Sequence, residues 1–332
     1  MKTRVLYVER RTGSSPSIER VFRQIAADLP QGEFETAFQQ VPFGNGAFNI
    51  LKNLIFFRHH TADIYHITGD VHYIAFRLPK HKTLLTVHDL ILLHIRSGLR
   101  RWILKKLFFT WPVRRAVQVN AISESTRGEI EFELNTDKDI NVIADPLMAG
   151  FEPEPRRPFN SACPVILHIG TAPNKNLRGL IQAIKGLRCK LRILGELDDQ
   201  TRSDLAAAGI EYDTAAGLDQ ASMTSEYRHC DIVSFCTTYE GFGLPIIEAQ
   251  AMQKPLITSD MEPHRSVAGE GAIFVDPYDP TAIRRGIETL MGDTALRDRR
   301  VAAGKVNIKR FDSAQIAAQY ADLYRRVIAG NQ

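Results

Sequence analysis

The chain has 332 residues, 44% of them apolar, with 42 basic against 38 acidic side chains for a net charge of +4. That length accommodates two domains of ordinary size, and the near balance of charge argues against nucleic acid as a partner, which would call for a concentrated basic face. No stretch reaches the ~18 apolar residues of a spanning helix, and no His/Cys/Asp cluster has metal-ligand spacing. Cys163, Cys189, Cys230 and Cys236 form no Cys-x-x-Cys pair, so they read as reduced, structural thiols of a cytoplasmic protein.

In chain order, the apolar run at 4–8 is too short for a signal peptide and reads as the first strand. No Gly-x-Gly-x-x-Gly follows it, which disfavours a nicotinamide dehydrogenase. Further strands are predicted at 64–67, 83–87, 118–122 and 141–143. His88 falls just past the third of these five strands, next to Asp89. Between Leu90 and Ser123 there is no acidic residue. Trp102, Ile103, Leu107, Phe108 and Trp111 make one apolar stripe there, with Arg96, Arg100, Arg101, Lys105, Lys106, Arg114 and Arg115 on the other side. Two readings fit 96–115. One is a helix lying on an anionic membrane surface, where each basic residue adds about 1 kcal/mol. The other is a helix packed on a sheet with its basic face in water.

The proline-rich stretch 151–158 can neither continue a helix nor pair in a central strand and reads as a linker. Beyond it, apolar strands at 165–169, 191–194, 210–212, 232–236, 256–258 and 272–275 alternate with helical patterns at 177–187, 199–208, 244–252 and 281–291. Alternation of this kind argues for parallel sheets covered on both faces. The last segment, 312–329, is helical, with Ile316, Tyr320, Leu323 and Val327 on one face. The expected architecture is α/β, with two doubly wound Rossmann-like domains facing a central cleft. Its parts are a first domain at 1–150, a linker at 151–164, a second domain at 165–311 and a C-terminal helix at 312–332 packing back on the first domain. Ligands of such sheets bind beyond the carboxyl ends of the strands.

The most informative residues are 240–248, Glu-Gly-Phe-Gly-Leu-Pro-Ile-Ile-Glu, where a buried strand gives way to a helix. Pro245 suits the first helical position. Gly241 and Gly243 allow φ > 0 and close approach of a ligand to the backbone. A helix start offers free N–H groups and partial positive charge to a phosphate. Glu248, placed in the first turn, leans back towards the same ligand, where a carboxylate suits ribose or sugar hydroxyls. The loop 170–177 also leaves a strand and opens a helix, with Asn176 as its cap and Lys175 positioned to meet a diphosphate. These residues predict a sugar-nucleotide pocket.

Two glutamates eight apart around Gly-Phe-Gly-Leu-Pro closely resemble the paired-glutamate motif of the retaining GT-B glycosyltransferases of family 4. The resemblance is strong over about 165–280, fair over 83–146 and thin elsewhere. It implies a nucleotide-diphosphate sugar as donor, a glycan or lipid-linked acceptor and no metal cofactor, because lysine and helix dipole carry the leaving-group charge. It makes 1–150 the acceptor side. It nominates His88, Lys175 and Glu240 as catalytic, and Gly13, Asn174, Lys175, Arg178, Gly241, Phe242, Gly243, Leu244 and Glu248 as donor-binding. His66, Gly69, Asp70 and His72 would line the acceptor side. The sequence departs from the family at Asn174, where an arginine is usual, and at Ser266, where a glutamate is common. A lipid-linked acceptor would place the protein peripherally on the inner face of a membrane, through 96–115.

Three other functions compete. A sugar-nucleotide epimerase of related fold would bind the same donor. A non-catalytic donor-binding or membrane-docking subunit would bind without turnover, and the missing arginine favours it. A glycoside hydrolase would need two carboxyl groups roughly 5–9.5 Å apart across one bond, whereas Glu240 and Glu248 bracket a phosphate cradle.

Overall fold

A computed structural model describes residues 2–11, 17–44, 46–152 and 158–330. Residue Gly13 and 153–157 of the expected linker lie outside the described residues. The chain divides into two compact units, one made of Met1–Pro146 with Asp312–Gln332 and the other of Leu147–Phe311.

The first unit is built on β1 (Thr3–Glu9), β2 (Phe34–Gln40), β3 (Ile64–Ile67), β4 (Thr83–Val87), β5 (Gln118–Ala121) and β6 (Ile140–Val142). All pair in parallel, in the order β2-β1-β3-β4-β5-β6. Strands β3 and β4 are buried along their whole length, which explains why they read as unbroken apolar runs. The edge strand β2 has no counterpart in the predicted set. It is half exposed, so its sequence Phe-Glu-Thr-Ala-Phe-Gln-Gln carries charge and amide groups that mask the strand signal.

The C-terminal helix Ser313–Ala329, capped by the Asp312 carboxylate on Gln315 N–H, belongs to this first unit and packs against the helix Ser17–Asp28. It buries Ile316, Tyr320, Leu323, Tyr324 and Val327, each contributing roughly 1.5–3 kcal/mol. Its tyrosines also satisfy polar groups of the sheet. Asn120 Nδ2 donates to Tyr320 Oη at 3.0 Å, and Tyr324 donates to Tyr7 Oη at 3.0 Å while accepting from His66 Nδ1 at 2.9 Å. Burial drives the His66 pKa well below its usual value, so this imidazole is a neutral core group rather than an acceptor contact. Tyr324→Phe removes the shared partner of two fully buried groups and is expected to cost about 1–3 kcal/mol, read as a lower midpoint in urea unfolding.

The second unit is built on β7 (Val165–Ile169), β8 (Lys190–Leu194), β9 (Glu211–Ala215), β10 (Ile232–Phe235), β11 (Leu256–Ser259) and β12 (Ile273–Val275). They are parallel, in the order β12-β11-β10-β7-β8-β9. This is the dinucleotide-fold order, and its direction of winding reverses between β7 and β10. Asp231 anchors the entering chain there, its carboxylate accepting from Val165 N–H at 2.8 Å and from Asn160 N–H at 3.2 Å. The cysteines are all free, and burial pushes the Cys230 and Cys236 thiols up to about 12. No helix among the described residues is long and apolar enough to cross a membrane.

Candidate functional site

The loops after β7 and β10 leave adjacent strands at the switch point of the second sheet, so residues far apart in sequence meet. Lys175 Nζ donates to Glu240 Oε1 at 2.7 Å across a separation of 65 residues. Both side chains are largely covered, 24% and 14% exposed, and the ammonium also sits 5.4 Å from the Phe235 ring centroid. Gly170, at φ +88, makes room for this lysine, because a Cβ there would lie 2.9 Å from Lys175 Cγ.

Asn174 has a use other than charge. Its side chain donates to Tyr239 O at 3.0 Å, and its carbonyl accepts from Thr238 N–H at 2.8 Å. It therefore braces the two loops that bring Lys175 to Glu240. Asn176 precedes the helix Leu177–Ile184 but makes no side-chain cap. Its amide reaches outward instead, to Cys236 O at 3.0 Å and Pro277 O at 2.7 Å, tying in the loop after β12.

Gly243 adopts φ +107 and precedes the helix Leu244–Ala251. Gly241 does not share this conformation, since Gly243 alone of the pair has positive φ. Pro245 occupies the second helical position rather than the first, and Glu248 the fifth, one residue further on than expected and just past the first turn. Ile246 N–H is taken by Gly243 O at 2.9 Å and Pro245 has no N–H, which leaves the amides of Gly243 and Leu244 as the donors of this helix start. Phe242 is buried, its ring edge-on to Phe311 at 5.5 Å, so it anchors the loop to the core of the unit.

Glu248 accepts from Tyr227 Oη at 2.5 Å. Burial first, and the Glu248 carboxylate second, push the Tyr227 phenol well above its usual pKa, so it stays a donor and holds the carboxylate in one orientation. Tyr227 carries no signal in the sequence, because it lies on a preceding helix, 21 residues from its partner. His264 likewise carries no signal in the sequence. Its ring lies between Thr237 Oγ1 and Thr258 Oγ1, each at 3.2 Å. Burial, helped by the nearby Lys175, lowers its pKa to about 4, so a neutral imidazole stands beside the lysine. Arg178 points elsewhere: it is 65% exposed and 3.9 Å from Asp204, so the structure gives it no place at the Lys175–Glu240 pair. Ser266 bonds back to Pro263 O at 2.9 Å.

In the first unit, His88 is buried and Nε2 donates to Thr68 O at 2.9 Å, which fixes its tautomer. The buried Asp145 carboxyl, raised by burial, is partly offset by His88. His72 is buried against Phe108 O at 2.9 Å, and Asp70 pairs with Arg10 at 3.3 Å, with Gly69 packed close to Arg10. The basic stretch forms the helix Gly98–Leu104, a wide turn over Lys105–Thr110 and the helix Trp111–Arg115. The expected single stripe is divided: Phe108 is buried, while Trp102, Ile103 and Trp111 are exposed. Three of the basic residues are engaged: Arg101 Nη2 donates to both Glu133 oxygens at 2.7 and 2.8 Å, Lys105 joins them at 3.2 Å, and Arg115 donates to Ala75 O at 2.7 Å and Leu78 O at 3.0 Å.

The family model "Glycosyl transferases group 1" matches residues 154–306. Phosphatidyl-myo-inositol mannosyltransferase from Mycobacterium leprae is 28% identical over 166 residues, covering 47% of this chain and 44% of that protein. O-antigen chain mannosyltransferase B from Escherichia coli is 27% identical over 229 residues, covering 61% of this chain and 59% of that protein. The alignment thus spans less than half the length of the mycobacterial relative. Among solved structures, sucrose-phosphate synthase from Thermosynechococcus elongatus superposes with a TM-score of 0.80 at 15% identity, over 99% of this chain and 100% of that one. Anabaena HepE in complex with UDP and glucose superposes with a TM-score of 0.78 at 16% identity, over 98% and 100%. Residues 154–306 of this chain thus resemble the glycosyl transferases group 1 family, and the fold of two Rossmann-like units is of the GT-B type.

Proposed function

We propose that this chain is a retaining glycosyltransferase that moves a sugar from a nucleotide-diphosphate sugar to a glycan or lipid-linked acceptor in cell-surface polysaccharide or glycoconjugate synthesis. The observation that carries the reading is the Lys175–Glu240 pair beside the Gly243 helix start, at the switch point of the family-matched unit. The reaction breaks the anomeric C–O bond and leaves its electron pair on a diphosphate oxygen. Lys175 and the amides of Gly243 and Leu244 aim positive charge at that oxygen, which assigns the stabilisation to the protein without a metal ion. Glu248, oriented by Tyr227, takes the ribose hydroxyls. Glu240, held by Lys175, takes sugar hydroxyls or fixes the lysine. The mannosyl transfer named for the two curated relatives and the UDP-glucose bound to Anabaena HepE support a nucleotide-sugar donor.

The same reading puts the protein in the cytoplasm, peripheral on the inner face of the membrane. Stretch 96–115 would touch anionic lipid, with Arg96, Arg100 and Arg114 as its exposed cations. The test of the donor site is a thermal-shift screen against nucleotide-diphosphate sugars and free nucleotides, followed by product analysis with the best donor. A shift confined to one nucleotide class, then a glycosylated product with the anomeric configuration kept, is the expected result. No shift with any member of the panel would remove the donor site. A second reading, an idle donor-binding subunit, is favoured by one observation: Glu240 neutralises Lys175, and position 174, where an arginine is usual, holds a neutral asparagine. It predicts the same shift with no turnover.

A further inference from the structure

The first unit carries an apolar face that the proposed donor site does not use. Of the 13 large apolar side chains exposed among the described residues, 10 fall between residues 48 and 111. The helix Ala47–Phe56, which the sequence did not single out, supplies four of them. Phe48, Leu51 and Ile55 recur at i, i+3 and i+7 and are 69%, 53% and 52% exposed, while Ile50 and Leu54 pack on the core from the other side. A helix apolar on both faces buries one of them in its own unit and needs a second apolar medium for the other.

This helix is not isolated from the basic stretch. It packs on His72–Arg77, which packs in turn on Lys105–Thr110 and on the helix Trp111–Arg115. The Phe76 and Trp111 rings, 6.3 Å apart, join the two regions. Charge follows the same boundary. Residues 36–123 hold 12 lysines and arginines against 3 acidic residues, a net +9, although the whole chain carries only +4. Arg58, Arg77, Lys80, Arg96, Arg100 and Arg114 are exposed, and Lys52 lies 4.7 Å over the Phe48 ring. Exposed tryptophan and aliphatic side chains ringed by exposed cations complement an anionic bilayer, with the rings at headgroup depth and the cations on the phosphates.

We infer that the helix Ala47–Phe56 is a second membrane-docking element, inserting its Phe48–Leu51–Ile55 stripe into an anionic bilayer beside 96–115. The inference rests on the membrane reading of 96–115 and extends it to a helix of different composition. The test is co-sedimentation with phosphatidylcholine vesicles and with vesicles of phosphatidylcholine and phosphatidylglycerol, comparing wild type, Leu51→Asp/Ile55→Asp and Arg96→Glu/Arg100→Glu. Wild type is expected to bind only the anionic vesicles, and each double variant to lose at least tenfold in partitioning with its unfolding midpoint unchanged. A Phe48→Trp probe in a Trp102→Phe/Trp111→Phe background is expected to be quenched by brominated lipid. Wild-type binding by Leu51→Asp/Ile55→Asp, or an unquenched probe, overturns the role of this helix and leaves docking by 96–115 standing. Failure of the wild type to bind any vesicle overturns both. Conversion of a dimer to a monomer by Leu51→Asp/Ile55→Asp in sedimentation velocity would assign the face to self-association and also overturn the inference.

Discussion

Lys175→Ala is expected to lower turnover by about 10²–10³-fold, the cost of removing one preorganised donor from a developing oxyanion. The lysine is the cation that the structure aims into the switch point, because Arg178 turns to Asp204 and Asn174 is neutral. Glu240, only 14% exposed, would lose its partner at the same time, so part of the loss reflects a carboxylate left uncompensated. Glu240→Gln separates the two effects. It frees Lys175 for the diphosphate, so free nucleoside diphosphate should bind at least as well as to wild type, whereas turnover falls if the carboxylate holds the sugar. Steady-state rates and calorimetric affinities for both variants make the comparison. Wild-type turnover by Lys175→Ala would remove the lysine from the mechanism.

Glu248→Ala should act mainly on donor affinity. A hydrogen bond to a charged group contributes about 1.5–3 kcal/mol, so the dissociation constant of the nucleotide sugar is expected to rise roughly 10- to 100-fold. The variant also strands the Tyr227 hydroxyl, which is fully buried and bonded to Glu248 at 2.5 Å, at a stability cost of about 1–3 kcal/mol. Tyr227→Phe is the companion: it keeps the carboxylate but releases its orientation, and a smaller loss of affinity is expected. If Glu248→Ala binds every nucleotide sugar as tightly as wild type, the ribose role fails. If Tyr227→Phe weakens binding more than Glu248→Ala, the tyrosine acts on the ligand or the fold rather than through the carboxylate.

The second unit was more legible than the first, for a physical reason. Strands β7, β10 and β11 lie centrally in their sheet and are covered on both faces, so their apolar runs are short and clean and the glycine-containing turns between them stand out. In the first unit, β2 sits at an edge and mixes polar residues into its pattern. The helix Ala47–Phe56 has no single stripe to mark it in the sequence, because its apolar residues point both inward and outward. The apolar stripe at 102–111 was visible, but the wide turn at Lys105–Thr110 divides it between core and surface. Within the motif, the paired glutamates and the helix start were readable. The φ of Gly241, the turn on which Glu248 sits and the direction of Arg178 were not, since each depends on what packs around it.

The alternation of strand and helix, the family resemblance of 165–280 and the local chemistry of each loop are legible in the amino-acid order, because these depend on neighbours within a few residues. Which of those loops meet follows from the folded arrangement. The order β12-β11-β10-β7-β8-β9 sets the loop holding Lys175 against the loop holding Glu240. Packing within each unit likewise sets Tyr227 against Glu248, makes Asn174 a brace and puts His66 in the core beneath the last helix. Contacts across 65 residues or more depend on strand order and packing, which no local pattern encodes.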